Sequence, residues 1–415
     1  MNRYVKDKRP RLPKPVEKIE VSTKHFKLRV VLLIVFIVLA VLGISFGVVY
    51  LLKTESGWST VTVSTTSAHN LFDEFRFDYY FEDRSILTNG EARAVSEKYT
   101  ALSERAYELF NTYEEHGANV AYINAHANEE VTVDPILYSA FSVMLDGGDR
   151  RLFGAPVQEV YNALCSASDD VQAETFDPDL NEEIADFIDR ATAFILSAEH
   201  VDLKLLGDNR VRLDVSEEYE NFAKENAVNA FIDFAHYKNA FVIDYFADEL
   251  INAGMTKGVL SSTDGYFRVL FDTQSAFDLI SVIGDGYYFA ANAVYEFAVG
   301  GVNLKAITQG AYRSSYSYDD GKTAHNYFDI SDGADKCALA DLLVFSDKKN
   351  CASIAKTALP LFIADRWTTE SSQALKDGGL SYVYTDGIYI RYHDPDVSVI
   401  PVDDYEEIKF IVTQD

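Results

Sequence analysis

The stretch "IDFAHYKNAFVIDYFADELINAG", residues 232–254, sets His236, Tyr237, Lys238 and Asn239 side by side where an amphipathic run begins. Two kinds of chemistry use such residues at a helix start. Lys238 and the first backbone N–H groups can hold a phosphate, because a helix N-terminus carries unpaired donors and partial positive charge. His236 can move a proton near neutral pH. The competing reading is a turn that carries surface side chains. Asp233 and Asp244, at the ends of this stretch, fit either a binding role or the charging and capping of a helix N-terminus.

Other candidate chemistry is sparse. The chain has no Walker A loop, no G-x-S-x-G elbow, no H-E-x-x-H and no G-x-G-x-x-G. "DPDLNEE" at Asp177 has a calcium-loop flavour, but it lacks Gly at position six and Glu at position twelve. It reads instead as a turn into a helix. "HDPD" at His393–Asp396 has ligand atoms but no second histidine nearby. The cysteines Cys165, Cys337 and Cys351 are too few for a disulfide framework, and no CxxC is present. Three buried thiols are expected, with Cys337 and Cys351 the nearer pair in sequence.

The elements that must position these residues follow from periodicity. Alternating aromatics in "NLFDEFRFDYYFED" predict a first strand. Thr88 and Glu91 have capping-box spacing. Val95, Tyr99, Leu102, Ala106, Leu109 and Tyr113 then recur at helical spacing. Further helices are expected at 135–145, around Ile184–Ile195, and from Phe241 to a stop at Gly254. Strands are expected at 257–260, 266–271, 338–345 and 382–389. Irregular alternation of the two predicts an α+β class.

Five segments, in order between residues 70 and 390, resemble the FAD:protein FMN transferase family, the exported flavin transferases once called thiamine-biosynthesis lipoproteins. In "FNTYEEHGANVAYINAHANEEVTVDPILYSAF", Tyr113, Val120, Ile123 and Asn124 match an early motif, with Ala118 and Asn119 replacing a Ser and an acidic residue. The opening stretch is similar to D-x-G-G-I-A-K-G-x-x-x-D and keeps Asp233 and Asp244. "ITQGAYRS" resembles A-T-S-G-x-Y through Thr308, Gly310 and Tyr312, with Gln309 for Ser. "GKTAHNYFDISDG" resembles G-K-x-Y-x-H-I-I-D-P-x-T-G through Gly321, Lys322, Asp329 and Gly333. There Asn326 holds the His position, beside His325, and Ile330 replaces Pro. "SIAKTALPLF" resembles D-A-x-x-T-A-L-F through Thr357, Ala358 and Leu359, with Ser353 where Asp is expected.

The resemblance implies FAD cleavage at the pyrophosphate and FMN transfer to a Thr or Ser of a partner protein, with Mg2+ beside the phosphates. It places Asp233, Lys238, Asp244, Thr308, Gly310, Tyr312 and Asp329 at the cofactor, Asn326 and His325 at the catalytic motif, and Ser353 and Thr357 at the metal. The departures reach the chemistry. Ala235, His236 and Ala240 replace glycines that would let backbone approach a phosphate. Ser353 is a neutral, weaker ligand than Asp. Asn326 cannot act as a general acid or base near pH 7. Two readings follow: a divergent transferase of doubtful activity, using Lys238 or His236 in place of metal charge, or a non-enzymatic ligand- or protein-binding domain on the same fold. An unrelated anchored α+β domain is a third.

Charge divides the chain. Residues 1–29 hold ten Lys/Arg and three Asp/Glu, whereas residues 53–415 hold 27 basic and 62 acidic residues. Between them, residues 30–52 carry no charge, and 23 helical residues suffice to cross a hydrocarbon layer of ~30 Å. A cleaved signal peptide would have a shorter apolar core and a small-residue cleavage site. The expected organisation is a cytoplasmic basic tail (1–29), a transmembrane helix (30–52), a Ser/Thr-rich stalk (53–69) and an extracytoplasmic domain (70–415). Expected partners are the membrane and an exported flavin acceptor or cell-envelope protein. The acidity excludes nucleic acid, whose phosphates need clustered Lys and Arg.

Overall fold

The run "DLLVFS", residues Asp341–Ser346, is buried at every position. Leu342 and Val344 enter one hydrophobic core, and Leu343 and Phe345 enter another. A strand without a polar face must be covered on both sides, and this one is. It lies within a nine-stranded sheet of β1 (Gly57–Thr60), β2 (Phe75–Phe81), β3 (Gly258–Ser262), β4 (Tyr266–Val269), β5 (Gly300–Lys305), β6 (Asp341–Ser346), β7 (Ser381–Asp386), β8 (Tyr389–His393) and β9 (Ile411–Gln414). Spatial order follows this numbering. Neighbours are antiparallel except β8 and β9, which are parallel. This computed structural model describes residues 56–415 apart from 64, 66, 83–89, 285, 297–298, 309–312, 395, 403–404 and 406–407. The basic tail, the apolar run 30–52, Thr88, Gly310 and Tyr312 lie outside the described residues. No helix among the described residues is long and apolar enough to cross a membrane.

One face of the sheet carries helices α1 (Gly90–Phe110), α2 (Pro135–Leu145), α3 (Ala155–Cys165), α4 (Glu182–Leu196), α5 (Lys238–Asn252), α6 (Cys351–Phe362) and α7 (Thr369–Asp377). On α1, Val95, Tyr99, Leu102, Ala106 and Leu109 form the buried stripe that their spacing predicts. Asp134 caps α2 through Ile136 N, with Pro135 in the first turn, where its missing N–H costs nothing. The other face packs on a three-stranded sheet of Ser275–Ile283, Gly286–Tyr295 and Ser398–Pro401, which contributes Leu279, Ala291, Ala293 and Tyr295. The class is α+β, as expected.

Three local readings change. Tyr113 does not continue the α1 stripe: Asn111 Oδ1 accepts from Tyr113 N (2.8 Å) and Glu114 N (2.9 Å), so the chain turns away and Tyr113 is exposed. Residues 382–389 are not one strand but the hairpin β7–β8, reversed at Gly387, whose φ is +57°. Residues 57–60, expected in the stalk, are the edge strand β1 paired with β2, with Trp58 edge-on to Tyr80 and tilted against Phe271. Trp58 and Thr60 favour a pleated surface when a neighbour strand is available. Asp177 sits in a turn into α4, where it accepts from Tyr318 Oη (2.7 Å) and Lys322 Nζ (3.0 Å). The three cysteines are unpaired, Cys165 and Cys351 buried and Cys337 partly so.

Candidate functional site

The chain enters α5 through a strained residue. Ala235 has φ +45°, a left-handed conformation that costs a non-glycine residue about 1–2 kcal/mol. It stands where the resembling motif has glycine, so the backbone shape of that motif is present without its residue. Asp233 Oδ1 holds the turn by accepting from Ala235 N and from Thr112 Oγ1, both at 3.2 Å. A single 3-10 turn, Ala235–Tyr237, then feeds the helix.

This turn forms one wall of a cleft of about 630 Å³. Helix α1 and the loop after it supply Tyr107, Asn111, Thr112, Tyr113 and Glu114; α3 supplies Gln158 and Asn162. A second lobe of about 340 Å³ shares Thr112, Tyr113, Gln158, Asn162 and Asp233 with the first, and adds Glu115 and Glu159. The β3–β4 turn contributes Asp264. Gly265 fixes that turn: its φ is +99°, and a Cβ there would stand 2.1 Å from Asn303 O on β5. Only glycine lets the turn wedge so close to the sheet.

Asn326 is the hub of the cleft floor. Its carbonyl accepts from Gln158 Nε2 (3.0 Å) and His236 Nε2 (2.9 Å), and its Nδ2 donates to Asn162 Oδ1 (3.3 Å). The bond to Asn326 O fixes the Nε2–H tautomer of His236. Burial lowers the His236 pKa to about 4, so the imidazole is neutral at pH 7. Lys238 Nζ meets Glu74 Oε2 at 2.6 Å inside the cleft. Burial raises the Asp233 carboxyl above its ordinary range and pushes Asp264 up to about 6, against hydrogen bonds from Ser262 and Asn239.

Comparison with solved structures places the fold. Flavin transferase ApbE from Vibrio cholerae superposes with a TM-score of 0.51 over 86% of this chain and 100% of its own, at 13% sequence identity. The ApbE protein of Thermotoga maritima gives 0.50 over 86% and 99%, also at 13% identity. The fold is the flavin-transferase fold. No family model matches the sequence, and no curated protein matches it.

On this flavin-transferase fold the residues singled out from sequence part company. Asp233, Lys238 and Asn326 line the cleft, together with Tyr113 and His236. Asp244, Thr308, His325, Asp329, Ser353 and Thr357 are not among its lining. Asp244 accepts from Cys351 N (2.9 Å) and Ala352 N (2.8 Å), binding α5 to the start of α6. His325 turns to Ala306 O (3.1 Å). Thr308 Oγ1 accepts from Ser314 N (3.0 Å). Asp329 accepts from Ser331 N (2.9 Å) and Lys336 Nζ (3.1 Å); despite partial burial, these bonds hold its carboxyl below the ordinary value. Gly333 (φ +74°) lets its turn close on α4, where a Cβ would stand 2.5 Å from Ile188. Ser353 is exposed on the first turn of α6, and Thr357 Oγ1 donates to its carbonyl (3.5 Å).

Sequence reasoning missed Glu74, Thr112, Gln158 and Asp264. One signal was available for Gln158: it falls on the α3 face that buries Val157, Tyr161 and Leu164, where a polar residue needs partners. Asp264 reads as ordinary turn chemistry, and nothing local marks it.

The lining does not fit a pyrophosphate. Asp73, Glu74, Glu114, Asp233 and Asp264 outnumber Lys238, which already meets Glu74. Two buried carboxamide oxygens, Gln158 Oε1 and Asn239 Oδ1, have no hydrogen-bond partner among the described residues. Both amide orientations are set by their nitrogens: Gln158 Nε2 donates to two oxygens, and the Asn239 side chain bonds Asp264. Both oxygens are buried behind the cleft wall, so the accessible character of the lining is set by its carboxylates, with Lys238 already paired to one of them.

Proposed function

We propose that this chain is a membrane-anchored, extracytoplasmic ligand-binding protein built on the flavin-transferase fold, and that its cleft does not perform FAD cleavage and FMN transfer. The observation that carries the reading is the acceptor-lined cleft. Its lysine meets a carboxylate, its histidine is neutral, and carboxyl groups dominate its lining. A dinucleotide pyrophosphate needs the opposite lining, because burying an anion among carboxylates without counter-charge is unfavourable. The ligand class that suits the lining is a neutral or cationic molecule rich in N–H or O–H donors. The anchoring rests on the uncharged 30–52 run and on the basic side staying in the cytoplasm.

The test is equilibrium titration of the full-length chain with FAD and with FMN, with and without Mg2+, read by flavin fluorescence. The expected result is no saturable binding at micromolar flavin in either condition. Saturable FAD binding strengthened by Mg2+ would overturn the reading in favour of a divergent transferase. So would an FMN-sized mass gain on a Thr-bearing exported acceptor.

A further inference from the structure

At the rim of the cleft three side chains from two segments converge. His69 comes from the segment before β2, and Glu114 and His116 come from the loop that follows α1. One ligand atom from each lies within 4.8 Å of the others, the only such group of three His, Cys, Asp or Glu among the described residues. Glu114 Oε2 is their common point, 3.3 Å from His116 Nε2, 3.7 Å from His69 Nε2 and 3.2 Å from Tyr107 Oη.

These spacings are long for charge-assisted hydrogen bonds, which settle near 2.7–2.9 Å. They suit ligands around a shared cation: Zn–N and Zn–O distances of about 2.0–2.2 Å place tetrahedral ligand atoms roughly 3.3 Å apart. The supports are in place as well. Asn111 Oδ1 accepts from Glu114 N (2.9 Å), and Asn119 Nδ2 donates to Glu114 O (2.8 Å), so the loop is braced on both sides of its carboxylate. His69 N donates to Ser67 Oγ (3.1 Å), and its ring stacks on Tyr107 at a centroid distance of 5.4 Å. Tyr107 Oη donates to the ligating carboxylate, the kind of outer partner that orients metal ligands.

We propose that His69, Glu114 and His116 form a site for a divalent transition metal, Zn2+ being the fitting ion. Two imidazoles and a carboxylate select the zinc class over Mg2+ or Ca2+, which take all-oxygen shells. Three protein ligands leave a coordination position for water or a ligand group. Glu114 and Tyr107 also line the cleft, so that position lies at its mouth. The metal would tie the segment before β2 to the loop after α1 and set the shape of the cleft entrance. This site is separate from Ser353 and Thr357, and it stands whether or not the cleft binds flavin.

The experiment uses the full-length chain without a histidine tag, stripped with chelator and exchanged into chelator-free buffer. Zn2+ binding is measured by calorimetry, and Co2+ is added in parallel as a spectroscopic probe. The expected result is one Zn2+ per chain, unaffected by millimolar Mg2+, with visible Co2+ ligand-field bands. His69→Ala and His116→Ala should each weaken Zn2+ by at least the 10–100-fold that losing a mere supporting partner costs. Both variants should melt like the metal-free parent, since neither side chain is buried in the core. Absence of saturable Zn2+ binding, or unchanged affinity in either variant, overturns the assignment.

Discussion

Ala235 shows how one residue can keep a motif's shape while losing its chemistry. Its left-handed φ of +45° is what a glycine would adopt without strain, so Ala235→Gly should relieve the 1–2 kcal/mol of that conformation. Against this stands about 0.5–1 kcal/mol of extra unfolded-state entropy. The expected outcome is a net stabilisation of roughly 0.5–1 kcal/mol, seen as a higher urea midpoint at unchanged slope. A lower midpoint would mean that the Ala235 Cβ packs more than it strains. Lys238 carries a second prediction at this scale. Glu74→Gln removes the carboxylate 2.6 Å from its ammonium. The partly exposed pair should cost less than ~1 kcal/mol of stability to break. Inorganic pyrophosphate, measured by calorimetry, should then bind the variant roughly tenfold more tightly than the parent. An unchanged affinity would show that the remaining acids Asp233 and Asp264, not the Glu74 pair, exclude the anion.

Among the elements, the joint between α5 and α6 matters most. Asn350 caps α6 through Ser353 N (3.0 Å), and Asp244 on α5 satisfies Cys351 N and Ala352 N. The carboxylate thus pairs with a helix N-terminus, which is where negative charge is favoured. Asp244→Ala leaves two buried donors without a partner and should cost about 2–3 kcal/mol in urea denaturation. Ligand or metal binding at the cleft should be unaltered while the variant is folded, because Asp244 is not part of the lining. The same joint shows what is legible in the sequence. Local periodicity exposes α1, α2, α4, α5 and the β6 run, since those patterns depend only on which face each element buries. The spacing of Asp233 and Asp244 also matches a motif, but spacing cannot say that one carboxylate enters a cleft and the other crosses to a second helix. Partners such as Glu74, Gln158 and Asp264 come from elements up to 190 residues apart in the chain, and only the folded sheet brings them together. The Zn2+ triad is hidden for the same reason: His69 falls at the end of a Ser/Thr-rich segment and His116 in a turn, with nothing local to join them.

At the scale of the whole molecule, acidity sets the pH response. The chain carries a formal charge of −28, and several carboxyl groups are buried. Burial raises Asp244 and Asp264 to about 6 and Asp341 to about 7. Asp341 accepts from Ile280 N (2.8 Å) and lies 3.6 Å from Lys305 Nζ, with Asp278 adding repulsion. A carboxyl group whose folded pKa exceeds its unfolded value of 3.8 stabilises the fold in its protonated form. That contribution is full below about pH 4 and is lost as pH rises through 6 to 7. Asp214, lowered chiefly by its bond from Arg212, and Asp329 act oppositely, but below about pH 4, outside this window. Self-repulsion of the remaining acids grows in the same direction as the buried groups ionise. The melting temperature should therefore fall between pH 4 and pH 7 when followed by scanning calorimetry. Asp341→Asn retains an acceptor for Ile280 N but cannot ionise, so it should flatten that slope. Near pH 4 and below, the variant should melt close to the parent. At pH 8 it should melt higher, because each tenfold bias of the ionisation equilibrium is worth about 1.4 kcal/mol. A parent whose stability rises through this range, or a variant with the parent's slope, would show that Lys305 keeps Asp341 ionised and that the buried pair, not the protonated acid, is the stable form.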